Sequence, residues 1–278
     1  MSNYRTKSLF HYTKEMNSLL EIIKSGILYP NFCKEDLSTK KNPNYILGIP
    51  EICFCDIPIS MANKFRDNYG SYAIGFDKYW GIDNGCNPLL YVANESIIDG
   101  VIHYKERVME LRPNITQEIV LKGALTNFKE YFGQLDDSRA YMYSLGFLKK
   151  YMSEWQGEPY CNYDENEWRY ILEDGFWKIW WKNGEEYKEW RGETHYINDN
   201  GDKITIPKPA PTEDMKKLGL RFSSKEINHI ILNQESEIPE FIEKLHTISS
   251  IGENEVIKQD LSILTSKITS FERISQDY

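Results

Sequence analysis

Three separated segments carry side chains able to hold a small polar ligand. His11, in His11-Tyr12-Thr13, can donate hydrogen bonds to a ribose hydroxyl or an amide. Tyr69 and Tyr72 offer rings that can stack on an aromatic group, or pack in a core. The third segment, Glu165-Asn166-Glu167-Trp168-Arg169, alternates so that Arg169 shares a strand face with Glu167. Two readings of that face stay open: Arg169 as a ligand anchor, or Arg169 as the charge partner of the glutamate. Cys53 and Cys55 form a C-x-C pair in an apolar run, with no second Cys or His pair at an evident spacing for zinc. A structural role in a buried strand is expected for them, and no metal.

The elements that must position these groups alternate between strand and helix. Leu9 to Thr13 predicts a short strand. KEMNSLLEIIKSGIL places Leu19, Leu20, Ile22, Ile23 and Ile27 on one helical face, with Gly26 as the stop. Asn31 to Gly48 reads as a polar loop, and IPEICFCDIPIS as a strand ending at Pro58. Ser60 to Asn68 predicts one or two helical turns, and YGSYAIGF a half-buried strand, followed by PLLYVA. Periodicity turns helical across TQEIVLKGALTNFKEYF and DSRAYMYSLGFLKKYM, a helical insertion at about 95–155. Strand character returns at EWRYILED. A hairpin-rich excursion follows at about 176–206, with turns at Asn183-Gly184 and Asn200-Gly201. Ile227 to Leu232 predicts a further strand, Ile238 to Thr247 a helix opened by Pro239, and the tail from Gly252 a terminal helix or a frayed end. The expectation is a single α+β domain over residues 1–278.

Composition narrows the function classes. A net charge of -9 argues against a broad basic surface for long duplex DNA, while 14% aromatic residues suit a core, stacking platforms or partner anchors alike. Five cysteines without regular spacing fit a reducing compartment. The start MSNYRTKSLF lacks a signal-peptide core and no run of about 18 apolar residues occurs, so a cytoplasmic location without a membrane partner is expected.

In order and spacing the segments resemble a known group. His11-Tyr12-Thr13, a helix, and Ser25-Gly26-Ile27-Leu28 resemble the H-x-T opening of DarT-like ADP-ribosyltransferases. Cys53-Phe54-Cys55-Asp56-Ile57-Pro58, Tyr69 to Phe76, and Glu165 to Tyr170 are similar to the AbiGi family of abortive phage-resistance proteins, and the likeness runs from Leu9 to Leu232. The resemblance implies an ADP-ribosyltransferase-like split β-sandwich with flanking helices, gripping NAD as substrate in a cleft. It implies cofactor binding by His11, Tyr12, Thr13, Tyr69 and Tyr72, with Arg66, Lys14 or Arg169 anchoring the pyrophosphate. DarT-like enzymes carry an arginine in the region of Phe54 to Pro58; none stands there, and Arg66 is the substitute. Glu165 and Glu167 match the E-x-E pair, with Glu167 as the catalytic group. Cleavage of the nicotinamide bond develops positive charge at the anomeric carbon, which a nearby carboxylate stabilises more in the transition state than in the ground state.

The implied function is an NAD-dependent ADP-ribosyltransferase toxin acting on a macromolecule, nucleic acid or protein, with a neutralising antitoxin as partner. Two alternatives stand beside it. One is a catalytically inactive antitoxin-like binding module of the same fold, using the aromatic hairpin at Phe176 to Trp190 as its interface. The other is an NAD glycohydrolase.

Overall fold

A computed structural model describes residues 6–42, 45–103, 145–155, 157–172, 178–180, 195–197, 203–205, 210–252, 254–255 and 258–277. Its centre is a nine-stranded sheet. In chain order the strands are β1 (Ser8–Thr13), β2 (Asn31–Asp36), β3 (Ile46–Cys55), β4 (Tyr72–Asp77), β5 (Asn87–Pro88), β6 (Glu167–Ile171), β7 (Lys178–Trp180), β8 (Ile227–Leu232) and β9 (Ile268–Ser270). Their order across the sheet is β9-β8-β4-β1-β3-β6-β5, with β2 and β7 also on β3. All pairs are antiparallel except β8 with β9.

The ten-residue β3 organises the cleft because it changes partner along both edges. On one edge β2 pairs with Ile46 to Glu51 and β1 takes over at a single registered pair, Phe10 opposite Cys55. On the other edge β7 pairs with Ile46 to Gly48 and β6 with Glu51 to Cys55. Pro50, which has no N–H to give a ladder, falls between these last two partners. Alternation then splits the strand's side chains. Ile52 and Phe54 enter the main core, while Glu51, Cys53 and Cys55 line a cleft on the opposite face.

Apolar residues on both faces of the sheet dictate helices on both sides. Ile74 and Phe76 of β4 and Ile230 and Leu232 of β8 pack with Leu19 and Ile23 of the helix Met16–Ser25, Phe241 and Leu245 of the helix Ile238–His246, and Leu264 of the helix Lys258–Ser266. Phe10, Ala73 and Ile231 face the other way, onto the 3-10 turn Ile59–Phe65 and onto Phe271 and Ile274 of the helix Phe271–Asp277. Gly26 closes the first helix as the sequence suggested: its φ of 63° is left-handed and its N–H reaches the carbonyls of Ile22 and Ile23.

Two expectations need correction. Residues 31–36 are a strand, not loop, since Asn31 to Asp36 pair in full register with β3. The end of the expected helical insertion is also extended: Leu148–Lys150 pairs in parallel with Leu90–Val92, and Met152–Trp155 forms a hairpin with Glu158–Cys161. Tertiary contacts override helical periodicity there, because extension buries Leu148 in a second core with Val92 and Ile171 and sends Lys149 into the cleft. The tail beyond Gly252 takes the first of its two expected forms, with helices at Lys258–Ser266 and Phe271–Asp277, and it also supplies the edge strand β9. Residues 104–144, which hold all of TQEIVLKGALTNFKEYF and the first half of DSRAYMYSLGFLKKYM, and both glycine turns of the hairpin excursion lie outside the described residues. Within that excursion His195–Ile197 and Lys203–Thr205 do pair antiparallel. Among the described residues no helix is long and apolar enough to cross a membrane.

Candidate functional site

The cleft has a volume of about 730 Å³ and lies along β3 where β2 gives way to β1. His11, Tyr12, Tyr69, Glu165 and Glu167 all line it. Thr13, Arg66 and Tyr72 do not. Thr13 ends β1 opposite Tyr72, whose hydroxyl instead donates to Glu237 Oε1 at 2.7 Å. Arg66 is half-exposed and sits 3.6 Å from Asp67.

His11 fills the gap between β1 and β3. Its Nδ1 lies 2.9 Å from the carbonyl oxygen of Cys53, so this nitrogen carries the proton and donates. Burial lowers the imidazole pKa, with the Cys53 carbonyl opposing it, which keeps the ring neutral. Tyr12 donates to the Ala62 carbonyl at 2.9 Å and stacks on Phe271. Tyr69 donates a short hydrogen bond to Glu165 Oε1. Burial first, and then the charge of Glu165, push the Tyr69 hydroxyl far up.

A single left-handed residue puts both glutamates in the cleft. Asn166, at φ 43°, caps the 3-10 turn Asn162–Glu165, and the chain then enters β6. Asparagine tolerates this conformation better than most side chains. Glu165 and Glu167 are accordingly 2% and 6% exposed, not part of a solvated face.

Two cations hold them. Arg169 donates from Nε to Glu167 Oε1 at 2.6 Å, from Nη2 to Glu167 Oε2 at 3.2 Å and Glu35 Oε2 at 2.6 Å, and from Nη1 to the Gly146 carbonyl at 3.0 Å. Lys149 Nζ lies 2.6 Å from Glu167 Oε2 and 3.0 Å from Glu165 Oε2. Of the two roles open for Arg169, the charge partner is therefore the one its contacts show. Burial alone would push the Glu167 carboxyl up, yet Arg169 and Lys149 outweigh it and hold the group at about 2 instead of its ordinary 4.5.

The sign of the pH effect follows. A carboxylate depressed on folding contributes stability above its unfolded pKa and loses it as pH falls through the folded value. Stability is expected to drop between pH 4.5 and 2, and urea unfolding of wild type and Glu167→Gln across that window checks it. Equal slopes for the two proteins would remove Glu167 as the source.

Sequence reasoning did not find Lys149, Glu35 or Glu51. Lys149 and Glu35 fall in stretches read as helix and loop. Glu51 did leave a signal: a carboxylate inside the apolar run Ile49-Pro50-Glu51-Ile52-Cys53-Phe54 has to find partners or stay protonated. It is 4% exposed, and burial pushes its carboxyl well up despite the nearby Arg169 charge. Arg169 Nε is 3.4 Å from Glu51 Oε2, near enough to feel its charge, but that nitrogen already donates to Glu167. No hydrogen bond reaches Glu51 Oε2 among the described residues.

Residues 27–233 match the protein family described as "Putative abortive phage resistance protein AbiGi, antitoxin". The chain belongs to the AbiGi family. It is also 30% identical over 147 residues to the abortive phage resistance protein AbiGi of Lactococcus lactis subsp. cremoris, an alignment covering 49% of this chain and 55% of that protein. The chain thus spans about half the length of the curated relative it matches. No solved structure matches. Membership in AbiGi bears out the context of abortive infection and antiviral defence, and it overturns the expected main function. An ADP-ribosyltransferase toxin was expected; the family description says antitoxin instead. Physically, the E-x-E spacing that suggested catalysis is equally what a buried two-cation network requires where the turn Asn162–Glu165 leads into β6.

Proposed function

We propose that this chain is a non-enzymatic, antitoxin-like binding module of an abortive phage-resistance system, acting by contact with a toxin protein. The observation that carries the reading is the engagement of Glu167. Both of its oxygens accept from Arg169 and Lys149, so the carboxylate has little capacity left to stabilise cationic charge on a ligand. The antitoxin description of the family supports the same reading. We read the scaffold as ADP-ribosyltransferase-like, on the strength of His11 at the parting of β1 and β3 and the two cleft-facing glutamates, with the site given over to internal ion pairs.

The partner surface we favour is the rim beside the cleft. Leu90, Tyr151, Met152 and Tyr163 are exposed there, and the rings of Tyr151 and Tyr163 stack at 5.5 Å. Tyrosine and methionine in such a patch make anchors whose removal weakens an interface strongly. A chain of net charge -9 suits a basic partner, whose encounter it would speed. The aromatic hairpin at Phe176 to Trp190, expected as an interface from sequence, lies almost entirely outside the described residues.

The test uses the purified full chain and the cognate toxin in titration calorimetry. Tyr163→Ala with Met152→Ala is expected to weaken binding by roughly 100-fold, about 2 to 3 kcal/mol, while leaving the melting temperature unchanged. Undiminished binding would move the interface elsewhere. Consumption of NAD by the wild type alone, lost in Glu167→Gln, would sink the non-enzymatic reading.

A further inference from the structure

The edge where β3 passes from β2 to β1 brings three further ligand-type side chains together. Cys33 of β2 and Glu51 and Cys53 of β3 each present a donor atom, and these atoms all lie within 4.8 Å of one another. The Cys53 thiol donates to Glu51 Oε1 at 3.1 Å and shares a hydrogen bond with Cys33. The three line the cleft, so an ion has a path to them. None of the five cysteines is in a disulfide.

We propose that Cys33, Glu51 and Cys53 form a binding site for one thiophilic divalent cation, zinc above all, which clamps β2 to β3 beside the cleft. Two sulfurs and a carboxylate oxygen are a donor set that zinc accepts, whereas magnesium and calcium prefer oxygen alone. Three protein ligands leave one tetrahedral position open towards the cleft.

A second observation points the same way. Glu51 Oε2 is a buried carboxylate oxygen without a hydrogen bond among the described residues, an arrangement that costs free energy unless something meets it. Glu35, Glu51, Glu165 and Glu167 are all buried, and among the described residues Arg169 and Lys149 are positive groups bonded to them. On binding, the two S–H bonds and the Glu51 carboxyl O–H give way to two metal–sulfur bonds and one metal–oxygen bond, and the three protons leave to solvent.

The site was hidden in the sequence because Cys33 stands twenty residues before Cys53 and the intervening segment reads as loop. Pairing of Asn31 to Asp36 with Ile46 to Glu51 brings the two together.

Cobalt titration of the reduced, metal-free full chain tests the proposal, followed by displacement with zinc. One equivalent is expected to raise a thiolate-to-cobalt charge-transfer band together with tetrahedral visible bands, and one equivalent of zinc to abolish both. Cys33→Ser should lower the charge-transfer intensity by about half, since one of two thiolates is lost. Glu51→Gln should keep that intensity but weaken affinity at least ~10-fold. Cys161→Ser should change neither, because Cys161 is outside the cluster. Matching circular dichroism of the metal-free variants and wild type separates ligand loss from misfolding. No band, or a full band in the Cys33→Ser, Cys53→Ser double variant, overturns the assignment.

Discussion

Arg169→Met is expected to remove about 3 to 5 kcal/mol of folding stability, the range found when one partner of a buried ion network is deleted. The guanidinium is 2% exposed and donates to Glu167, Glu35 and the Gly146 carbonyl at once. Without it, Glu35, Glu51 and Glu167 stay in the interior, and Lys149 remains bonded to Glu167. Urea unfolding at neutral pH reads the effect. Arg169→Lys should recover only a minor part, because an ammonium is a point charge and cannot reach both carboxylates with a planar fork. Adding Glu35→Gln to Arg169→Met should restore stability relative to Arg169→Met alone, since one uncompensated charge is gone. A loss under ~1 kcal/mol for Arg169→Met would mean that the network relaxes or hydrates freely, in which case the reading of Glu167 as a fully engaged group falls with it.

Gly70→Ala is the second large effect, and it acts through the backbone. Gly70 has a φ of 139°, a conformation L side chains rarely adopt, and an added Cβ would lie 2.2 Å from the Thr13 carbonyl oxygen. That oxygen belongs to the end of β1 and cannot swing aside without breaking the pairing of Thr13 with Tyr72. Strain and overpacking together are expected to cost roughly 3 kcal/mol, lowering the melting temperature by roughly 6 to 12 °C. The damage should also reach the cleft, because Gly70 directly follows Tyr69, whose hydroxyl holds Glu165. Tyr69→Phe is the control: it removes that hydrogen bond and leaves the backbone alone, so its melting temperature should fall far less.

The part of the fold legible in the sequence was the part written in local pattern. Leu19, Leu20 and Ile23 announce one buried helical stripe and Gly26 its end, and both are found where the pattern put them. The grouping of His11, Tyr12, Tyr69, Glu165 and Glu167 was also within reach, since all five line one cleft. What escaped was fixed by pairing between distant segments. Asn31 to Asp36 has a polar, loop-like composition, and only β3 makes it a strand. Lys149 lies in a helical-looking run, and the carboxylates opposite draw it into an extended one. The role of Glu167 was legible only in part: Arg169, two residues on in the same strand, was one open reading as its charge partner, whereas Lys149 comes from a separate strand.

The order of strands across the sheet has a consequence for how the chain is made. β1 at residues 8–13 lies beside β4 at 72–77, which needs β8 at 227–232 on its far edge, and β8 in turn needs β9 at 268–270. Contacts so distant in sequence make folding slow, because each closes a long loop before any packing rewards it. During synthesis the apolar faces of β1 and β4 wait uncovered until the last strands emerge, a period in which such surfaces are prone to aggregate. On the antitoxin reading proposed above, the delay between translation and a finished sheet sets how soon restraint of a toxin can begin, and how promptly it lapses once synthesis stops and existing molecules are degraded.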